Sequence, residues 1–172
     1  MNAKTISSGG RVTLNDTDLV ALRKNLGELA KLRVKVGVLG PKAARADQGT
    51  VHNPEGLNNA EIGLRNEFGV ISERVPERSF IRMPLIVQLP KILKGGTAKQ
   101  WIQTLIKQGP AYVMGSLGLA GEHAVQEAFA TKGFGKWKPN APLTVILKGS
   151  ARPLIDHGEL RQAISSEVIK LP

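Results

Sequence analysis

The sequence predicts an α+β fold: a small mixed or antiparallel sheet packed by several helices, with a long loop and a flexible N-terminal arm. Three observations carry this expectation. Leu19, Leu22, Leu26 and Leu29 recur at three- and four-residue steps, as on one stripe of a helix. Leu32, Val34, Val36 and Val38 then alternate with Arg33, Lys35, Gly37 and Leu39, the period of a half-buried strand. Near the far end, Val168 and Lys170 would share one face of an extended run while Ile169 and Leu171 share the other. A closing strand near 166–171 is expected to pair with the strand at 32–39.

The elements follow in order. Residues 1–14 read as an arm, polar at first and broken by Ser7-Ser8-Gly9-Gly10. No apolar segment of the secretory kind lies within residues 1–15. Residues 15–172 read as one domain, its first helix capped by Asn15 or Asp16. Gly40-Pro41 ends the first strand. Residues 40–58 show no periodicity and many turn formers, and a connection that long is commonly functional or disordered. A short helix follows, capped by Asn58 or Asn59. Ile62, Leu64 and Phe68 form its apolar side, and Gly69 is its stop. Val70 to Val75 fits a short strand or an extended link.

From Pro76 the pattern is that of a broken helix, with Phe80, Met83 or Pro84, Val87 and Ile92 inward. Pro84 and Pro90 are expected to kink or interrupt it. Thr97 is placed to cap a helix through Trp101, Ile102, Leu105 and Ile106. Gly109-Pro110 punctuates that helix, or Pro110 opens the next one. Residues 111–130 have helical spacing, and Gly115, Gly118 and Gly121 would let another element approach closely. Lys132 to Pro142 is a basic loop, and Leu143 to Leu147 a short strand or helical turn. Asp156 and Glu159 have the spacing of a capping box for a helix continued by Leu160, Ala163 and Ile164.

Composition narrows the function. Lys and Arg total 24 against 14 Asp and Glu, a net charge of +10, and cysteine is absent. Without cysteine there is no disulfide, thiolate metal site or cysteine nucleophile. Aromatic residues are only 4%, which argues against a base-stacking surface. The stretch from Arg78 to Gly121 holds Arg78, Arg82, Lys91, Lys94, Lys99 and Lys107 and no acid. Ala128 to Ile155 is likewise basic without an acid. Such stretches fit phosphate contact with DNA, or an interface that meets acidic patches on a neighbour. No helix-turn-helix or zinc-finger signature accompanies them.

The histidines, His52, His123 and His157, lack the spacing of a helical zinc site, and no G-x-S-x-G or phosphate loop is present. No metal, cofactor or catalytic residue is therefore expected. A hydrolase using His52 or His157 ranks third, behind an assembly protein and a non-specific DNA-binding protein. No membrane-spanning stretch is expected, since the uncharged run from Gly109 to Gly121 is too short.

Two stretches resemble a known family. One runs from Asn59 to Gly69, ending Glu67-Phe68-Gly69, and continues Val75-Pro76-Glu77-Arg78-Ser79-Phe80-Ile81-Arg82. The other runs from Trp137 to Ile164, above all Leu154-Ile155-Asp156-His157-Gly158-Glu159-Leu160. Both resemble the virion morphogenesis proteins of tailed bacteriophages, also called tail-completion, neck or head–tail joining proteins. Asn66, Ser79 and His157 depart from the family's commoner His, Pro and Thr.

The resemblance implies a non-enzymatic virion component, assembled in the bacterial host cytoplasm. It would cap the tail or join it to the head as a ring of identical subunits, six by expectation. Its partners would be other copies of itself and neighbouring neck and tail-tube proteins, with non-specific DNA contact as a further possibility. Glu67, Phe68, Gly69, Pro76, Phe80, Asp156, Gly158 and Leu160 are expected to determine the fold. Arg78 and Arg82, four apart, are expected to share a helix face and clasp a neighbour's carboxylate. With Arg74, and with Lys42, Arg45 and His52 in the long loop, they are the candidate subunit contacts.

Overall fold

The structure, a computed structural model, describes residues 4–7, 11–46, 49, 53, 55–154 and 158–172. It is an α+β fold. The strands are β1 (Lys4–Ser7), β2 (Arg11–Leu14), β3 (Leu32–Val38) and β4 (Ile164–Lys170). The helices are α1 (Asp16–Leu29), α2 (Asn59–Phe68), α3 (Arg82–Lys94), α4 (Ala98–Ala130), α5 (Pro142–Lys148) and α6 (Glu159–Gln162). A 3-10 turn, Gly40–Ala43, follows β3. β3 and β4 form a two-stranded sheet. The Leu171 N–H donates to the Lys31 carbonyl at 2.8 Å, so the end of β4 lies beside the start of β3 and the pair is antiparallel.

The chain divides into two compact units. The dividing lines fall inside β3, α3, α4 and β4. The first unit takes the chain up to Lys35, Pro90–Ala120, and the chain from Glu167 on. Asn15 caps α1 by accepting from the Asp18 N–H at 2.8 Å. Leu22 of the leucine stripe is buried with Leu14, Leu105 and Val113, and Leu19, Leu29, Trp101 and Ile102 pack against them. Asn25 Nδ2 ties α1 to α4 by donating to the Leu105 carbonyl at 2.7 Å. Thr97 opens α4 with a reciprocal cap. Its Oγ1 accepts from Gln100 N, and Gln100 Oε1 accepts from Thr97 N. Gly109, at φ 81°, breaks α4, so Pro110 starts a fresh helical segment. Residues 4–7 and 11–14, read from sequence as part of an arm, pair antiparallel with Lys4 opposite Leu14. Thr5, Ile6, Val12 and Thr13 are β-branched, which suits strands.

The second unit takes Val36–Leu89 and Gly121–Ser166. Its core is Phe80, Val125, Ala128, Phe129, Trp137, Leu154, Leu160 and Ile164. Phe129 is central. It tilts against Phe80 at 5.4 Å between ring centroids and meets Trp137 edge-on at 5.8 Å. A Cβ on Gly121 would stand 3.0 Å from Val36 and 3.3 Å from Leu85, so this glycine lets α4 approach both side chains.

Three local expectations change. α2 does not bury Leu64 and Phe68. Its inward face carries Asn59, Gly63 and Glu67, while Phe68 is 56% exposed and is no core anchor. The polar inward residues have partners elsewhere in the chain, which makes their burial tolerable. α3 runs unbroken through both prolines. Pro84 lies in its first turn, where a missing N–H leaves no bond unmade. Finally, α6 starts at Glu159 with Gly158 as its cap at φ 82° and no side-chain capping bond. Glu159 therefore does not sit at the third helical position that a capping box from Asp156 requires. Asp156 itself lies outside the described residues.

Candidate functional site

The site belongs to the second unit and is built on α2. Asn58 and Glu61 form a full capping box, Asn58 Oδ1 accepting from Ala60 and Glu61 N–H, and Glu61 Oε2 accepting from Asn58 N–H. This fixes the start of α2 and brings Glu67 to its buried face. Glu67 is only 5% exposed. Its carboxylate accepts from Ser79 Oγ and from the backbone N–H groups of Phe80, Ile81 and Arg82, at 2.7–3.1 Å. Arg82 Nε adds a fifth bond at 2.9 Å. These amides lie at the start of α3, whose first N–H groups have no partner within the helix. A carboxylate there satisfies them and complements the helix dipole. Glu67 is thus the cap of α3, supplied from another helix.

Gly69 turns the chain away immediately after, at φ 73°. A Cβ there would stand 2.8 Å from Glu77 N, so only glycine fits. Val70 and Val75 then bridge as a tight antiparallel turn. Pro76 leads into an extended stretch that carries Arg78.

Arg78 does not share a helix face with Arg82, because it lies four residues before α3 starts. It is 7% exposed. Nε donates to the Lys138 carbonyl at 2.9 Å, and Nη2 to the Pro139 carbonyl and Asn140 Oδ1 at 3.0 and 3.3 Å. All three acceptors are neutral oxygens. Burial pulls the guanidinium pKa below its ordinary value, yet an arginine stays charged at any working pH. Arg78 staples the 138–140 loop to the Pro76–Ser79 segment. Arg82 engages the chain's own Glu67 and Glu77, and its guanidinium lies 4.5 Å above one face of the exposed Phe68 ring.

A cavity of about 850 Å³ opens beside Arg78. Ile62, Val75, Leu154 and Leu160 give it apolar wall; Asn53, Asn66 and Asn140 add amides. Arg45, Arg65, Arg74 and Lys138 line it with Arg78, and Glu55, Glu73 and Glu159 are the carboxylates among its described lining residues. Arg65 bridges Glu55 and Glu73 at 2.9 and 2.8 Å. Arg45 Nη2 lies 2.8 Å from Glu159 Oε2, near enough for an ion pair but without hydrogen-bond alignment. Arg45 also donates to Asn59 Oδ1, while Asn59 Nδ2 donates to the Lys42 and Ala44 carbonyls. Asn59 therefore pins the start of the long loop to α2.

The sequence-derived candidates thus separate. Arg45, Arg74 and Arg78 meet at the cavity, with Gly158 and Leu160 on its wall. Lys42 is exposed and its Nζ reaches the Ile164 carbonyl at 3.4 Å. Arg82 is outside the lining. His52 lies outside the described residues, as does His157. Arg65, Lys138 and Asn140 were missed from sequence. The Trp137-Lys138-Pro139-Asn140 loop was the available signal, since a Pro-Asn turn exposes carbonyls that a buried arginine can use. Among the described residues, no three His, Asp or Glu side chains gather as a metal site. No described helix is long and apolar enough to cross a membrane.

Geometry and fold define an α+β protein with a mixed-charge, cation-rich cavity beside its core. No family model, curated protein or solved structure matches the chain.

Proposed function

We propose that this chain is a structural virion protein of a tailed phage, one that caps the tail or joins it to the head as a homo-oligomeric ring. One observation carries the reading: the two family-like stretches, distant in sequence, build a single core. Phe80 from the first packs with Trp137 and Leu160 from the second through Phe129 and its neighbours. A Cβ on Gly63 would stand 3.4 Å from Phe80 and 3.6 Å from Leu160, so α2 enters the same junction. Arg78 then bonds the 138–140 loop.

A ring needs a heterologous interface that closes on itself. Arg74 and Lys42 are exposed and remain its candidate contacts. Electron micrographs of the purified protein, alone or with its neck partners, are expected to show closed rings. Quantitative proteomics of purified particles is expected to find a fixed small copy number. A strict monomer absent from particles would refute the reading.

A further inference from the structure

The cavity of the second unit has a charge pattern that selects its occupant. Among the described residues, its five cations face three carboxylates. Glu55 and Glu73 are engaged by Arg65, and Glu159 by Arg45. Among the described residues, Arg74 and Lys138 have no acidic partner, and Arg78 is held only by neutral oxygens. A buried guanidinium without a counter-charge projects its field into the adjoining space, because little water screens it.

Arg74 is also placed at some expense. It sits at φ 57° in the tight turn between Val70 and Val75. A left-handed residue with a Cβ costs about 1–2 kcal/mol, which glycine would avoid.

The geometry points to a binding site for an acidic side chain carried on an extended peptide segment of a partner protein. The negative group would meet Arg74 and Lys138 within the field of Arg78. The flanking carboxylates and the Asn140 amide would take the segment's backbone N–H groups. A duplex fits poorly: it presents a negative charge for each ~1.7 Å of axis and has no donors along its backbone for Glu55, Glu73 and Glu159. Inorganic phosphate meets the same three carboxylates. The volume lies in the range of about 300–1,000 Å³ usual for compact ligands, so a few residues suffice.

This site needs no ring, so its test is separate from that of the head–tail reading. The probe is a blocked tetraglutamate peptide, titrated against the full chain by amide NMR. Saturable shifts are expected for Arg74, Lys138, Asn140 and Gly158. Arg74→Gly suits the left-handed backbone, so it should keep or raise the melting temperature while weakening binding about tenfold or more, the loss of one charge-assisted bond. Lys138→Gln should weaken binding in the same direction. Lys99→Gln, an exposed lysine of the first unit, should leave it nearly unchanged. The inference fails if no saturable shifts occur, if Lys99→Gln weakens binding as much as Arg74→Gly, or if blocked tetraglutamine binds as well. It fails equally if inorganic phosphate or a DNA duplex displaces the peptide at matched charge.

Discussion

Glu67 ties α2 to the start of α3. Five donors converge on its two oxygens, three of them from consecutive residues at the start of α3. Glu67→Gln keeps the shape but replaces one acceptor oxygen with an NH2 that faces donors. A buried donor left unsatisfied costs about 1–3 kcal/mol, and several donors face Glu67, while its half-exposed partner Arg82 adds little. The expected loss is about 2–4 kcal/mol, or a fall in melting temperature of roughly 5–15 °C for a chain of this size. Thermal unfolding followed by circular dichroism checks it, and a shift under about 2 °C would show that these bonds matter little. The sequence identified Glu67 as important only through the resemblance. Nothing in its spacing says that it is buried, because its donors lie twelve to fifteen residues on, across a turn that folds back. The same holds for Arg45 and Glu159, whose pairing depends on tertiary structure alone. Phe68 was misread for the converse reason: an apolar side chain on a short helix looks inward until a polar neighbour takes that face.

At the scale of elements, periodicity and caps were legible where local rules agree with the fold. α1, β3 and both ends of α2 lie where leucine spacing, alternation and the Asn58/Gly69 punctuation put them. α3 was harder to read, since two prolines argue against one helix. Pro84 is harmless in the first turn, and Pro90 follows an already exposed surface at Ile86 and Leu89. The run at Leu143–Leu147 was ambiguous because four apolar residues in five fit strand or helix; Pro142 at the first helical turn decides for α5. The α2 cap provides a test at this scale. Asn58→Ala removes the acceptor for two N–H groups and should cost about 1 kcal/mol. Because α2 carries Glu67, hydrogen exchange should quicken along α2 and at the amides of Phe80 and Ile81. Faster exchange confined to residues 59–61 would show that the cap acts only on its own turn.

For the whole molecule, the +10 charge has two outlets. Lys91, Lys94, Lys99 and Lys107 are all exposed along the acid-free stretch, and this is the observation that keeps DNA contact as the second reading. Contacts of that kind release counterions, so affinity should fall linearly in log–log form with salt, by orders of magnitude between 50 and 200 mM for about six or more phosphates. Under the head–tail proposal, rings should persist at salt concentrations that abolish duplex binding in a filter or anisotropy assay. Rings that form only with DNA present would reverse the order of the two readings. The division into two units was not legible, since it cuts through continuous helices and strands whose local signals carry no mark of it.

The chain has two tryptophans, and the fold assigns one to each core. Trp101 packs with Leu22 and Leu105 in the first unit; Trp137 is buried against Phe129 in the second. Replacing either with phenylalanine leaves a single tryptophan, whose emission, excited selectively over Tyr112, reports on the other unit alone. The molecule thus contains its own pair of optical probes, one for each half, and a denaturant titration of the two variants would reveal whether the halves melt together or in turn.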